Sequence, residues 1–408
     1  MEQPVARRDA TMTVALCYLT AIMEGVDLQS MGIAAPTLRA ELGLNPAQFG
    51  TAASMSLLGL LVGAIIGGRL ADRYGRKLIL VMALIALGGF TLLTTFVRTY
   101  HELLIVRLLV GLGLGGSFPI LIALASEVAQ AGKRATTISL MYAGVPMGTI
   151  IGTGMTLAFG MRFEWRWIFY VGGLGPLALA PIVLRLMPES AHFSRIAAAT
   201  SMTPATSITE ALFGQGRLPR TLLLWISYAF TLLVIYLMTN WLNQLMSARG
   251  LDLRQSTTVL MAWGVGSIAG SISLGLLTDT KASRWSAVIA YCGLAFSLFG
   301  LSHFVLFALL ITSGFGAGFF AVGASLVNYA LAPRYYPVAI RGTGVGWAVG
   351  IGRLGSIFGP LLGGLFLQAG LSASAVLVTF IPPLLIAATA SSILLFGSAA
   401  QDSARVSS

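Results

Sequence analysis

Charged residues are scarce. Asp, Glu, Lys and Arg make up 10% of the 408 residues, whereas soluble domains carry about 25%, and the mean hydropathy is +0.86. Too few charges remain to cover a soluble surface, so soluble enzymes and soluble binding modules are excluded. Cysteine is almost missing. Cys17 and Cys292 both lie inside hydrophobic runs, and neither has a second thiol at metal-ligand spacing, which excludes a disulfide framework and a thiolate metal site. The three histidines, His101, His192 and His303, are scattered over span ends and a polar linker. No metal and no cofactor is implied. Strict polar/apolar alternation is also absent, which argues against an outer-membrane barrel.

The chain has instead long apolar runs of about 20 residues, the length of a membrane-spanning helix. Twelve spans are predicted, near 12–35, 47–69, 78–97, 102–127, 137–160, 167–187, 220–246, 256–278, 285–302, 304–331, 342–367 and 373–397. A short outer loop containing Pro36 and Asn45-Pro46 is expected between the first two. The polar, basic start leads into a run too long for a signal-peptide core, which predicts a retained first span. The net charge of +11 follows from topology and not from a nucleic-acid partner. With both termini cytoplasmic, seventeen Lys and Arg fall on the inside and six on the outside, and Arg107 and Arg353 stand within spans. That asymmetry fixes the orientation by the positive-inside rule.

An internal repeat runs through the chain. Gly68-Arg-Leu-Ala-Asp72 recurs as Gly275-Leu-Leu-Thr-Asp279, 207 positions on; the same offset carries Arg134 onto Arg341 and Gly148-Thr-Ile-Ile-Gly152 onto Gly355-Ser-Ile-Phe-Gly359. An offset of 203 lays Gly111-x-Gly113-x-Gly115 over Gly314-x-Gly316-x-Gly318. The fold class predicted is an all-α integral membrane protein of two pseudo-symmetric six-helix halves, 1–187 and 220–408, joined by a polar cytoplasmic linker, 188–219.

Glu24 and Asp27 stand three apart in the first run and share a helix face. A charge at mid-bilayer costs about 2.5–3.5 kcal/mol, so an intramembrane acid is a functional candidate by default. The repeat sets both apart: they fall on Thr231 and Val234, and Arg353 falls on Pro146. A feature that each half needs for its structure should occur twice, whereas a single substrate site needs its charges once. Burial disfavours an ionised carboxylate and a nearby guanidinium favours it, so such an acid can change its proton occupancy with its surroundings. The competing reading of Asp27 is a permanent ion pair holding helices together. Arg353 offers a bidentate fork for a carboxylate, and its competing reading is likewise an interhelical pair.

The ten residues GRLADRYGRK at 68–77, Arg107-x-x-x-Gly111-x-Gly113-x-Gly115-Gly116, and Pro188-Glu189-Ser190 resemble signatures of the major facilitator superfamily across the whole chain. Within it, Glu24-Gly25-Val26-Asp27 resembles the acidic first-helix motif of the aromatic acid:proton symporters, with Glu24 in place of the commoner Asp. The resemblance implies a transporter and no enzyme, and a cavity lined by the first, fourth, seventh and tenth spans with Arg353 at its rim. Proton coupling is expected of Asp27, Glu24 and Arg107, with snorkelling to the outer surface as the alternative for Arg107. A substrate site is expected of Arg353 with Tyr228, Tyr236, Asn240, Trp241, Trp263, Asn328 and Tyr329, flat apolar walls with a few polar groups being what an aromatic acid requires.

A gate on the cytoplasmic side is expected of Gly68, Asp72, Arg73, Gly75, Arg76, Asp279, Glu127, Arg134 and Arg341, with Asp72 pairing to Arg76 or a neighbouring helix end and Glu127 to Arg134 or the 68–77 segment. Gly111, Gly113 and Gly115 are expected to permit close helix packing. The function implied is proton-coupled uptake of small aromatic carboxylates of the hydroxyphenylpropionate type, by a monomer in the bacterial inner membrane, whose partners are the acid, the proton and the lipid bilayer. A proton-driven drug exporter is the rival within transport, although Gly144-Val-Pro-Met-Gly148 departs from the glycine-proline-glycine pattern of that group. A non-transporting membrane ligand sensor is the rival of another class.

Overall fold

A computed structural model describes residues 7–130, 134–159, 164–188, 208–278, 285–337 and 340–406. All regular structure among the described residues is helical. Twelve helical stretches are long and apolar enough to cross a membrane: Ala10–Leu42, Pro46–Ala71, Arg76–Thr94, Tyr100–Glu127, Leu140–Ala158, Arg166–Leu186, Leu218–Ala248, Leu253–Leu274, Ser286–His303, Phe307–Ala332, Thr343–Gln368 and Ala373–Phe396. They are numbered here as the first to twelfth spans. The chain divides into two compact units, Met1–Met202 and Thr203–Ser408, each with six spans.

Three local features differ from the sequence expectation. Pro36 does not sit in a loop; the first helix runs on to Leu42 through it. Proline costs a backbone hydrogen bond and crowds the preceding turn, but Ala34, Ala35 and Leu38 around it are buried, and that packing carries the helix through. It ends where Gly43 takes φ 61 and Leu44 N–H reaches back to the Arg39 carbonyl at 3.0 Å, a Schellman stop. Asn45 and Gln48 then exchange side-chain caps at 2.8 and 3.0 Å, with Pro46 as the first helical residue.

The second correction concerns 68–77, expected from its glycines and dense charge as a tight cytoplasmic turn, which is hardly a loop at all. The helix from Pro46 continues to Tyr74, and the next starts at Arg76. Arg69-Leu-Ala-Asp-Arg-Tyr74 contains no helix breaker, so the chain turns only at Gly75, whose φ of 100 suits glycine. Gly68 lies within the helix. Third, two spans are broken: the fifth at Ala143, three residues before Pro146, and the twelfth at Phe380, just before Pro382-Pro383. In each case proline removes a donor and presses on the carbonyl four residues earlier.

Both units pack by one plan. In the first, the second span lies on the fourth, the first on the fifth, and the third on the fourth and sixth; in the second, the eighth lies on the tenth, the seventh on the eleventh, and the ninth on the tenth and twelfth. Lipid gives apolar helices little reason to associate, so close approach through small residues does much of the holding. A methyl group at Gly59, Gly63 or Gly111 would strike the backbone of Leu108, Leu112 or Ser56. Adding 207 to each pair gives Gly266 on Phe315, Gly270 on Phe319 and Gly318 on Trp263, all of them observed. The packing therefore relates the fourth and tenth spans at 207, one helix turn from the 203 register of the glycine run. Gly148 on Ile22 and Gly355 on Ala229 obey the same offset.

Candidate functional site

Within the first unit, the first, second, third and fourth spans bring a charged pair together out of reach of solvent. Asp27 is 0% and Arg107 2% exposed. The guanidinium meets both carboxylate oxygens, Nη1 to Oδ1 at 3.3 Å and Nη2 to Oδ2 at 3.4 Å. Both are longer than the ~2.7–2.9 Å of a tight charge-assisted bond. The supporting contacts are of ordinary length: Thr91 Oγ1 donates to Asp27 Oδ1 at 2.9 Å and Arg107 Nε donates to Ser56 Oγ at 2.8 Å. The Arg107 guanidinium also stands 5.9 Å from the Phe169 ring centroid, within cation–π range. Arg107 does not snorkel.

Glu24, 0% exposed, accepts from the Ser117 hydroxyl, one helix turn along the first span from Asp27. Both acids thus face the fourth span. Gly25 and Gly148 explain how the first span comes so close to the fifth: a side chain at either would collide with the opposite backbone. Farther along, Thr149 Oγ1 donates to Gln29 Oε1 at 3.5 Å.

In the second unit, Arg353 is 9% exposed and donates from Nη1 to the Tyr236 hydroxyl at 2.9 Å. Tyr236 is the repeat equivalent of Gln29, so in each unit the same position makes a polar contact to the fifth or eleventh span. The Tyr329 ring meets Tyr228 edge-on at 5.5 Å between centroids, and Tyr228 packs against Gly352, the neighbour of Arg353. These four residues form one cluster.

The other expected substrate contacts make bonds and close contacts within the second unit. Asn328 takes Ser227 and Ser391 hydroxyls on Oδ1 at 2.8 and 3.1 Å and gives Nδ2 to Thr231 and Tyr291 at 3.2 and 3.1 Å. Its amide is filled by side chains from the seventh, ninth and twelfth spans. Trp241 is 0% exposed and donates to the Pro360 carbonyl at 2.9 Å, tying the seventh span to the eleventh. Asn240 donates to its own helix at Tyr236 O, 2.9 Å. Trp263 is 4% exposed, and its backbone seats Gly318.

The two buried polar clusters occupy largely different places. Asp27, Thr91 and Arg107 correspond by 207 to Val234, Leu298 and Gly314, while Tyr291 and Asn328 correspond to Leu84 and Leu121. At these five positions each unit is polar where the other is apolar, whereas the equivalent Glu24 and Thr231 are polar in both.

Near Gly75, Arg76 pairs with Glu127 at the end of the fourth span, and the Arg73 guanidinium stands 5.3 Å from the centroid of the Tyr74 ring. The side chains of Asp72, Arg134 and Arg341, and Asp279 entirely, lie outside the described residues.

Residues 17–326 match the Major Facilitator Superfamily. The chain belongs to that superfamily. It is 42% identical over 384 residues, 94% of each chain, to the 3-(3-hydroxy-phenyl)propionate transporter of Escherichia coli K12. It is 35% identical to the gallate transporter of Pseudomonas putida, over 88% of this chain and 86% of the relative. Among solved structures, a D-xylose-proton symporter superposes with a TM-score of 0.75 at 17% identity, over 95% of this chain and 97% of that one; at that identity the likeness speaks for the fold. As a member of the major facilitator superfamily the chain is a multi-pass membrane transporter and not an enzyme.

Ser56, Thr91, Ser117 and Phe169 complete the superfamily member's charged site, and no sequence signal singles them out. Hydroxyls within spans commonly bond their own helix, as Thr20 does to Leu16 O and Thr94 to Phe90 O. Nothing local distinguishes Thr91 from these.

Proposed function

We propose that the protein imports small aromatic carboxylates together with protons across the bacterial inner membrane by alternating access, as a monomer with both termini cytoplasmic and with two six-span halves joined through 188–219. The observation that carries this is the Asp27–Arg107 pair, a buried carboxylate held loosely by a guanidinium. Relatives whose names specify 3-(3-hydroxy-phenyl)propionate, gallate and 4-hydroxybenzoate transport support the substrate class.

Asp27 carries the coupling proton. When it is protonated the attraction for Arg107 is lost, and the first and fourth spans are freed to shift; when it is ionised the pair reforms. Glu24, with Ser117 as its donor, tunes the same face, because two nearby carboxylates do not both ionise cheaply. Arg353 binds the substrate carboxylate, since its planar fork matches that group, with Tyr236 and Tyr329 beside it. Arg76 and Glu127 close the cytoplasmic side.

The energetics favour symport. Carrying a monoanion inward against a negative-inside potential costs about 2.3 kcal/mol per 100 mV, and one accompanying proton cancels that charge. The test uses purified protein in liposomes with labelled 3-(3-hydroxyphenyl)propionate and an imposed inward proton gradient. Accumulation that collapses with a protonophore is expected. Accumulation independent of the gradient, or binding without any flux, would defeat the proposal.

A further inference from the structure

Tyr228 is the buried phenol of the second unit that goes unused. The residue is 1% exposed, and its hydroxyl, itself buried, has no hydrogen-bond partner among the described residues. A buried tyrosine hydroxyl normally finds one. Its neighbours do: the Tyr236 hydroxyl takes Arg353, and the Tyr291 hydroxyl shares in the Ser227, Thr231 and Asn328 network.

The ring of Tyr228 is nevertheless held firmly. Tyr329 meets it edge-on at an interplanar angle of 83°, and Gly352 leaves so little room beside it that an added methyl would lie 3.1 Å from Tyr228 Cβ. Phenylalanine would serve that packing equally well, so the hydroxyl is left to be explained. Tyr228 and Tyr236 both touch the eleventh span, through Gly352 and Arg353, and they are two turns apart, about 12 Å along the helix. The second unit therefore holds a guanidinium, aromatic rings and an unsatisfied phenol in one neighbourhood.

We infer that Tyr228 is a specificity-determining residue that hydrogen-bonds a ring hydroxyl of the substrate, selecting phenolic acids over their unhydroxylated counterparts. The inference rests on the proposal above that Arg353 takes the carboxylate of an aromatic acid. A hydroxylated ring satisfies Tyr228; a bare ring leaves its hydroxyl buried and unpaired, and sites of that kind discriminate strongly.

The test compares binding of 3-(3-hydroxyphenyl)propionate and 3-phenylpropionate to the purified full chain by calorimetry, for wild type and Tyr228→Phe. The wild type is expected to prefer the hydroxylated acid by about tenfold or more. Tyr228→Phe should weaken only the hydroxylated acid and bring the ratio close to one, with 3-phenylpropionate bound as before, which also reports an intact fold. A preference that persists in the variant, or equal weakening of both acids, overturns the inference. Should the variant not fold, 3-(3-methylphenyl)propionate, which fills the same ring position with no hydrogen-bonding atom, reads the same contact on the wild type; binding as tight as that of the phenol overturns it. Wild type that binds both acids equally defeats the role of Tyr228 alone, whereas wild type that binds neither defeats the aromatic-acid proposal with it.

Discussion

Arg107 holds Asp27 through both carboxylate oxygens, at 3.3 and 3.4 Å, across from one helix to another and sealed from solvent. Taking either partner away strands the other's charge in an apolar surrounding. Neutralising both together does not.

Arg107→Gln is therefore expected to cost about 3–5 kcal/mol, the usual price of an uncompensated buried charge. Thermal unfolding in detergent should show a large drop for that variant and a much smaller one for Asp27→Asn combined with Arg107→Gln. A double-variant loss equal to the sum of the two single losses would mean that the pair is not coupled.

Asp27→Asn alone leaves Arg107 without its counter-charge and should lower thermal stability as Arg107→Gln does, and the protein that folds should lose proton-driven accumulation. Counterflow exchange of preloaded substrate, which needs no proton gradient, is expected to continue, and uptake should lose its rise as external pH falls. Concentrative uptake equal to wild type in this variant would remove Asp27 from the coupling role.

Arg353→Lys tests the substrate carboxylate. Lysine keeps the charge but not the two-pronged geometry, so KM should rise by about tenfold, on the scale of one charge-assisted hydrogen bond. Transport assays that return an unchanged KM would show Arg353 to be a packing residue paired to Tyr236.

Asn328→Leu addresses the polar cluster of the second unit. Four side chains lose a partner at once, Ser227 and Ser391 on the acceptor side and Thr231 and Tyr291 on the donor side. The four keep bonds to one another, so the loss is that of several buried hydrogen bonds at about 1 kcal/mol each. A marked loss of thermal stability with unchanged KM in the surviving protein is expected; a raised KM without loss of stability would instead return Asn328 to the substrate site.

At the end of the first unit where the first span closes and the sixth begins, Arg166 bridges to Glu41 and Glu164, the latter at 2.9 Å, and to the Thr95 carbonyl at 3.0 Å, while Trp165 Nε1 donates to Glu41 at 2.6 Å. Exposed acidic partners, 42% and 75% for Glu41 and Glu164, limit what such a network contributes. Glu41→Gln should cost no more than about 1 kcal/mol and less in high salt. Melting curves at two ionic strengths decide it.

Much of this was legible along the chain. The twelve spans follow from composition over about 20 residues, and the repeat from matched short strings. Asp27, Glu24, Arg107 and Arg353 stood out because charge inside an apolar run is costly wherever it occurs. Where sequence inference slipped, a contact distant in the chain had outvoted a local rule: buried Ala34, Ala35 and Leu38 kept the helix through Pro36, and backbone packing set the tenth-span register a turn away from the glycine match. The bonds that Asn328 and Trp241 make within the second unit could not be read from sequence, because polar and aromatic residues in spans resemble one another whatever they touch.

The sequence by itself determined that this chain lives in a membrane, that it is doubled, and where its intramembrane charges lie, since hydropathy and charge are properties of a single segment. Tertiary structure alone decided their partners. Asp27 meets an arginine 80 positions away and a threonine 64 positions away, and Glu24 meets a serine 93 away. Those pairings depend on which helix faces pack together, and packing is set by close approach at residues such as Gly25, Gly111 and Gly148, whose own sequence neighbourhoods do not name the helix they will touch.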